Sequence, residues 1–109
     1  LMPGSVAFTM TKYDAVIGCA GIINIGWQRG EAWLLKSSLF YKYPLAALRA
    51  METMLPKLAK EHKFRRVQGV SLNGDDKWFE CFNMNYEGTL AAYGPHGENV
   101  KIYSRVFPV

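Results

Sequence analysis

The chain has 109 residues, half of them apolar and 14% aromatic, and a formal charge of +4 from 13 Lys and Arg against 9 Asp and Glu. That length and apolar content predict one folded domain over residues 1–109 and exclude a disordered chain. No apolar run approaches the ~18 residues that span a bilayer; Cys19 and Cys81 lie far apart, and no Cys/His cluster has metal-ligand spacing, so a membrane helix, a disulfide framework and a metal site are not expected.

The start, Leu1-Met-Pro-Gly-Ser5, carries neither a cationic leader nor a signal-type apolar core, which predicts a soluble, cytoplasmic protein and leaves open a missing N-terminal portion. Val6-Ala-Phe-Thr-Met-Thr11 is β-prone, and Lys12-Tyr-Asp14 follows as a polar turn. Ala15 to Trp27 reads as a long apolar strand with Gly18 and Gly21 as bulge positions. After Gln28-Arg-Gly30, the segment Glu31-Ala-Trp-Leu-Leu-Lys36 completes an antiparallel meander.

The period changes at Pro44. Leu45, Leu48, Met51, Leu55, Leu58 and His62 mark a helical stripe that ends near Lys63, with Pro44 in the first turn, where its missing N–H has no partner to lose. Pro56 removes a backbone bond in the interior and predicts a kink or a break. The basic run from Lys57 to Arg66 reads as a solvated helix end, where the dipole favours cations, rather than as a nucleic-acid or phosphate site. Arg65 to Leu72 is a further strand, Asn73-Gly-Asp-Asp76 a loop, and Lys77-Trp-Phe-Glu-Cys-Phe82 a short helix capped by Asp75 or Asp76. Tyr86 to Tyr93 and Asn99 to Phe107 form a closing hairpin around Gly94-Pro-His-Gly97. The predicted class is α+β, in the order βββ-α-β-α-ββ.

Ala15-Val-Ile-Gly-Cys-Ala-Gly-Ile22 resembles the third strand of the GNAT (Gcn5-related N-acetyltransferase) superfamily. Asn73, followed by Trp78-Phe-Glu-Cys-Phe-Asn-Met-Asn-Tyr-Glu-Gly88, is similar to its Asn-led helix and "EG" strand, and Thr89 to Tyr103 resembles the closing hairpin of phage-encoded GNAT-like proteins. The resemblance covers residues 6–107. It implies a mixed, mostly antiparallel sheet without the family's first strand and first two helices, and, for a phage protein, a place in host cytoplasm or virion.

It also implies a site. The donor would be acetyl-CoA, the acceptor an amine; Glu31 lies where some relatives carry a carboxylate base, and is otherwise an exposed hairpin residue. Leu34, Leu35 and Lys36 would pair with the pantetheine arm through backbone groups, and Asn73 would bond that arm or simply make an Asn-Gly turn. At the mouth of the long helix the family's glycine-rich phosphate cradle is replaced by Ser37-Ser-Leu-Phe-Tyr-Lys-Tyr-Pro44, which leaves Lys42, Tyr43 and the helix dipole to meet a phosphate. Cys81 stands near the family's general-acid tyrosine, either as a proton donor or as a buried packing residue. His62 and His96 read as structural or solvent-exposed, and Trp27, Trp33 and Trp78, with Tyr41 and Tyr43, either line a groove for an apolar ligand or belong to the core. The missing glycines and tyrosine also fit a non-catalytic assembly or interaction protein, and the edge of Val6 to Thr11 would offer a homodimer contact.

Overall fold

Residues 6–36 make three antiparallel strands because two-residue turns join runs of β-prone side chains. The computed structural model describes residues 3–71 and 76–108. In it β1 (Val6–Lys12), β2 (Ala15–Gly26) and β3 (Arg29–Lys36) form the meander. A one-turn 3₁₀ helix, Phe40–Lys42, leads into α1 (Pro44–Glu61), which crosses to β4 (Arg66–Ser71); α2 (Asp76–Cys81), β5 (Asn85–Leu90) and β6 (Val100–Val106) follow. The expected order is therefore observed. The strands lie β1-β2-β3-β4-β6-β5 in one six-stranded sheet, antiparallel except where β4 lies parallel to β3, the pairing a helical crossover imposes.

Two groups of buried side chains fix the helices to the sheet. Met10, Ile17 and Ala20 pack with Phe40, Ala47 and Met51 under the first half of α1; Ile22, Phe64 and Val67 pack with Leu58, Ala59 and Tyr103 under the second. Phe82 of the α2–β5 connection touches both groups. Phe79 of α2 lies over Gly69 and stacks on Tyr103 at 5.2 Å.

Several local expectations are corrected. The helix runs as one element through Pro56, so no break occurs there. It ends near Lys63 as expected, its last helical residue being Glu61: Lys63 turns left-handed (φ 58°) and closes the end, its N–H donating to the Lys60 carbonyl at 3.2 Å, and that of Phe64 to the Ala59 carbonyl at 2.8 Å. The bulges of β2 fall at Ile17 and Ile25, where the registers shift, and not at Gly18 or Gly21. Those two glycines instead permit close approach: a Cβ would stand 2.7 Å from the Leu35 carbonyl oxygen at Gly18 and 2.4 Å from that of Val6 at Gly21. β5 ends at Leu90, short of Tyr93, because Ala92 is left-handed and its N–H is taken by the Asn99 side chain at 2.9 Å. Asp76 opens α2 and accepts from the Ser71 hydroxyl and, at 3.0 Å, from Lys101. Both contacts hold its carboxyl below the usual range, the Ser71 bond most strongly. Asp75 lies outside the described residues. Among the described residues no helix is long and apolar enough to cross a membrane.

Candidate functional site at the parting of two strands

β3 and β4 pair over only three residues: Arg29 with Arg66, Gly30 with Val67 and Glu31 with Gln68. Beyond Glu31 they part. β3 keeps its partners on β2, from Ala32 opposite Ile22 to Lys36 opposite Gly18, and β4 keeps β6, from Gly69 opposite Tyr103 to Ser71 opposite Lys101. The facing edges of Ala32–Lys36 and of residues 69–71 therefore carry backbone N–H and C=O groups that the ladder does not use, the arrangement to which an extended, amide-bearing chain can add itself.

The gap between them is an apolar cleft of about 320 Å³, with Trp33 and Leu34 on one wall, Val70 on the other and Trp78, Phe79 and Phe82 beneath. Glu31 is its acidic group. It stands half-buried at the last paired position, where the strands begin to separate. This is not the exposed hairpin residue of the alternative reading: the β2–β3 turn is Trp27-Gln28, and Glu31 lies inside β3. The segment after β3 and the helix after β4 meet ring to ring, Phe40 lying 5.0 Å from Trp78, which in turn lies 6.2 Å from Phe82. Phe40 is fully buried, so this chain of rings joins the two sides beyond the strands.

The other expected residues divide. Leu34 lines the cleft with Glu31; Leu35 alternates to the exposed side. The Lys36 ammonium leaves the edge for the Tyr41 hydroxyl, at 2.7 Å, and lies over the Phe40 and Tyr41 rings. Lys42 and Tyr43 line a different depression at the start of α1, together with Lys12 and Arg49, and share no lining residue with the cleft. That depression is open and cationic, and Pro44 occupies the first helical position, so charge rather than backbone amides is what it offers an anion. Cys81 is exposed and lines none of the three cavities, which corrects the expectation of a buried packing residue. Asn73 lies outside the described residues. Of the aromatics offered as groove-lining, Trp33 and Trp78 do line the cleft, whereas Phe79 and Phe82 were missed; their spacing beside Trp78 on a short helix was the available signal.

A parallel pair that opens after three residues can be compared with known folds. A variant of spermidine N-acetyltransferase SpeG from Vibrio cholerae superposes with a TM-score of 0.77 over 95% of this chain and 66% of its own, at 12% identity. A GCN5-related N-acetyltransferase from Kribbella flavida gives 0.75 over 97% and 70%, at 18% identity. The microcin C7 self-immunity acetyltransferase MccE, solved with acetyl-CoA and AMP, gives 0.78 over 95% and 62%, at 12% identity. The chain has the GNAT fold. It spans about two thirds of the length of these GNAT structures. No protein-family model matches the sequence, and no curated protein matches it.

Proposed function

We propose that this chain is a GNAT acyltransferase that draws an acyl group from a CoA thioester, acetyl-CoA first, and passes it to an amine. The observation that carries this reading is the opening between β3 and β4: an unused strand edge beside an apolar cleft, with one carboxylate at the point of parting. The edge from Ala32 to Lys36 suits the two amides of a pantetheine arm, and the cleft suits its apolar links. Lys12, Lys42 and Arg49 at the mouth of α1 supply positive charge for the phosphates in place of a glycine cradle. MccE, whose structure holds acetyl-CoA, supports the choice of donor. SpeG, named for spermidine, makes polyamines the first acceptors to try.

Transfer to an amine needs alignment and one proton removed. The neutral amine nitrogen bonds to the thioester carbonyl carbon, the carbon–sulfur bond breaks, and the departing thiolate takes a proton from water; in this reading Glu31 accepts the proton that the amine loses and returns it to water, so that amide and thiol form with no net change in protons. Calorimetry with acetyl-CoA and CoA, followed by transfer to a panel of amines, tests the proposal. Glu31→Gln should lower kcat about 10²-fold while leaving acetyl-CoA binding unchanged. Absence of heat at millimolar acetyl-CoA would refute it and favour a non-catalytic interaction module, with the Phe40–Trp78 contact closing the way in.

A further inference from the structure

Besides the cationic depression at the mouth of α1, positive charge gathers at the other end of that helix. Arg29, Lys57, Lys60, Lys63, Arg65 and Arg66 meet where the β2–β3 turn, the last turn of α1 and the start of β4 come together, tied by the Arg65 and Arg66 N–H groups donating to the Gln28 carbonyl at 2.7 and 3.3 Å. Among the described residues, the acids in ion pairs with them are Glu61, 4.0 Å from Lys57, and Glu87 on Arg66. Lys60, Lys63 and Arg65 are exposed there. The cleft of the proposed function opens at the far end of the same two strands, so a CoA thioester leaves this charge without an explanation.

An aromatic ring accompanies it. Trp27 is 87% exposed at the tip of the β2–β3 turn, where it and Gln28 hold φ values of 56° and 58° between the paired Gly26 and Arg29. Such a turn asks for left-handed backbone at both central residues, which Asn and Gly supply without strain and Trp does not. A strained, solvent-facing bulky residue points to a use outside the fold. The ring is also fixed: Arg29 donates from Nε to the Gly26 carbonyl at 3.1 Å and from Nη2 to the Ile25 carbonyl at 3.3 Å, and its guanidinium lies 4.7 Å from the indole. One indole face rests on a clamped cation, and the other is open to solvent.

We propose that this end of the molecule binds single-stranded nucleic acid, with a base stacked on the free face of Trp27 and phosphates on Lys60, Lys63 and Arg65. A fixed aromatic platform beside a cationic track is the equipment that sequence-tolerant binding of a single strand requires. An acidic peptide would use the cations and leave the indole idle. A fluid bilayer surface would take up a tryptophan without needing it clamped.

Fluorescence anisotropy of labelled oligonucleotides of about twenty nucleotides, oligo(dT) and an unstructured RNA, at ~50 mM salt tests this on the intact chain. Binding should be micromolar, with log K falling against log salt at a slope of about −2 for three phosphates. Trp27→Ala should weaken it about tenfold, Trp27→Phe should retain most of it, and Lys63→Glu with Arg65→Glu should abolish it, all with unchanged thermal melting. Tyr93→Ala, an exposed aromatic in the β5–β6 loop, should have no effect. No binding at ~100 µM protein, binding indifferent to both Trp27 variants, or binding to vesicles of about 30% phosphatidylserine without binding to either oligonucleotide would overturn the proposal.

Discussion

The two halves of the β3–β4 seam are built from the same strands and behave oppositely. In the paired half, Gly30 makes room for its neighbours: a Cβ there would stand 2.2 Å from the Ile22 Cγ2 and 3.1 Å from the Phe64 ring. In the open half, large side chains line the gap, with Trp33 and Leu34 on β3 and Trp78 and Phe79 on α2. Both strands keep full antiparallel partners on their outer sides throughout. The opening is thus set by side-chain volume at the seam, since neither backbone has lost its capacity to pair.

The sharpest way to break this contrast is to give the paired half a side chain. Gly30→Val should cost more than about 3 kcal/mol, since branched and ring atoms rather than flexible chain ends stand in the way. Ala32→Val, two residues further into the open half and facing the 320 Å³ cleft, should cost less than about 1 kcal/mol. Denaturant melts of the two variants measure both, and equal costs would remove the distinction. Next in size is Trp78→Ala, which deletes a half-buried ring in contact with Phe40 and Phe82 and should cost about 2 kcal/mol. Its signature is positional: in hydrogen exchange the Ala32–Lys36 amides should lose protection while Gly30 and Glu31 keep theirs.

The elements on either side of the seam were largely legible in the sequence, and the seam itself was not. The meander, Pro44 at the start of α1 and the closing hairpin follow from local signals: alternation, a proline's fixed φ and a turn-rich loop. A three-residue parallel contact depends on residues 37 positions apart, Arg29 and Arg66, and leaves no local pattern. The Trp27-Gln28 turn carries no local signal because neither residue favours left-handed backbone, and cysteine's usual behaviour as a small hydrophobe says nothing of Cys81, which its helix leaves exposed.

A smaller effect concerns the brace across the outer strands of the paired half. Arg66, at its first pair, donates two bonds to Glu87 on β5, at 2.9 and 2.5 Å. The Arg66 hydrogen bond first, and that of Ser104 second, depress the Glu87 carboxyl to about 2. A depressed carboxyl stabilises the fold above its ordinary value of 4.5, and that contribution is lost as pH falls from there towards about 2. Both side chains are partly exposed, 27% and 39%, so screening limits the effect to below about 1 kcal/mol. Unfolding free energies at pH 7 and pH 3 should therefore differ by less in Glu87→Gln than in the wild type; an identical pH response would mean that the pair does not brace the seam.

The smallest change acts where α1 is delivered to the paired half. Lys63 holds φ 58° to close the helix, and Phe64 immediately after it packs beside Gly30. Left-handed backbone costs a residue with a Cβ about 1–2 kcal/mol, whereas glycine escapes that cost but loses roughly 0.5–1 kcal/mol through the freedom it gains in the unfolded chain. The balance favours glycine, and Lys63→Gly should stabilise the protein by about 0.5 kcal/mol, read as a rise in the denaturation midpoint at unchanged m-value. Because the substitution also removes a cation from the basic end, the comparison belongs at high salt, where surface charge repulsion is screened. A destabilised Lys63→Gly would show that the lysine side chain, rather than the turn it makes, positions Phe64 beneath the seam.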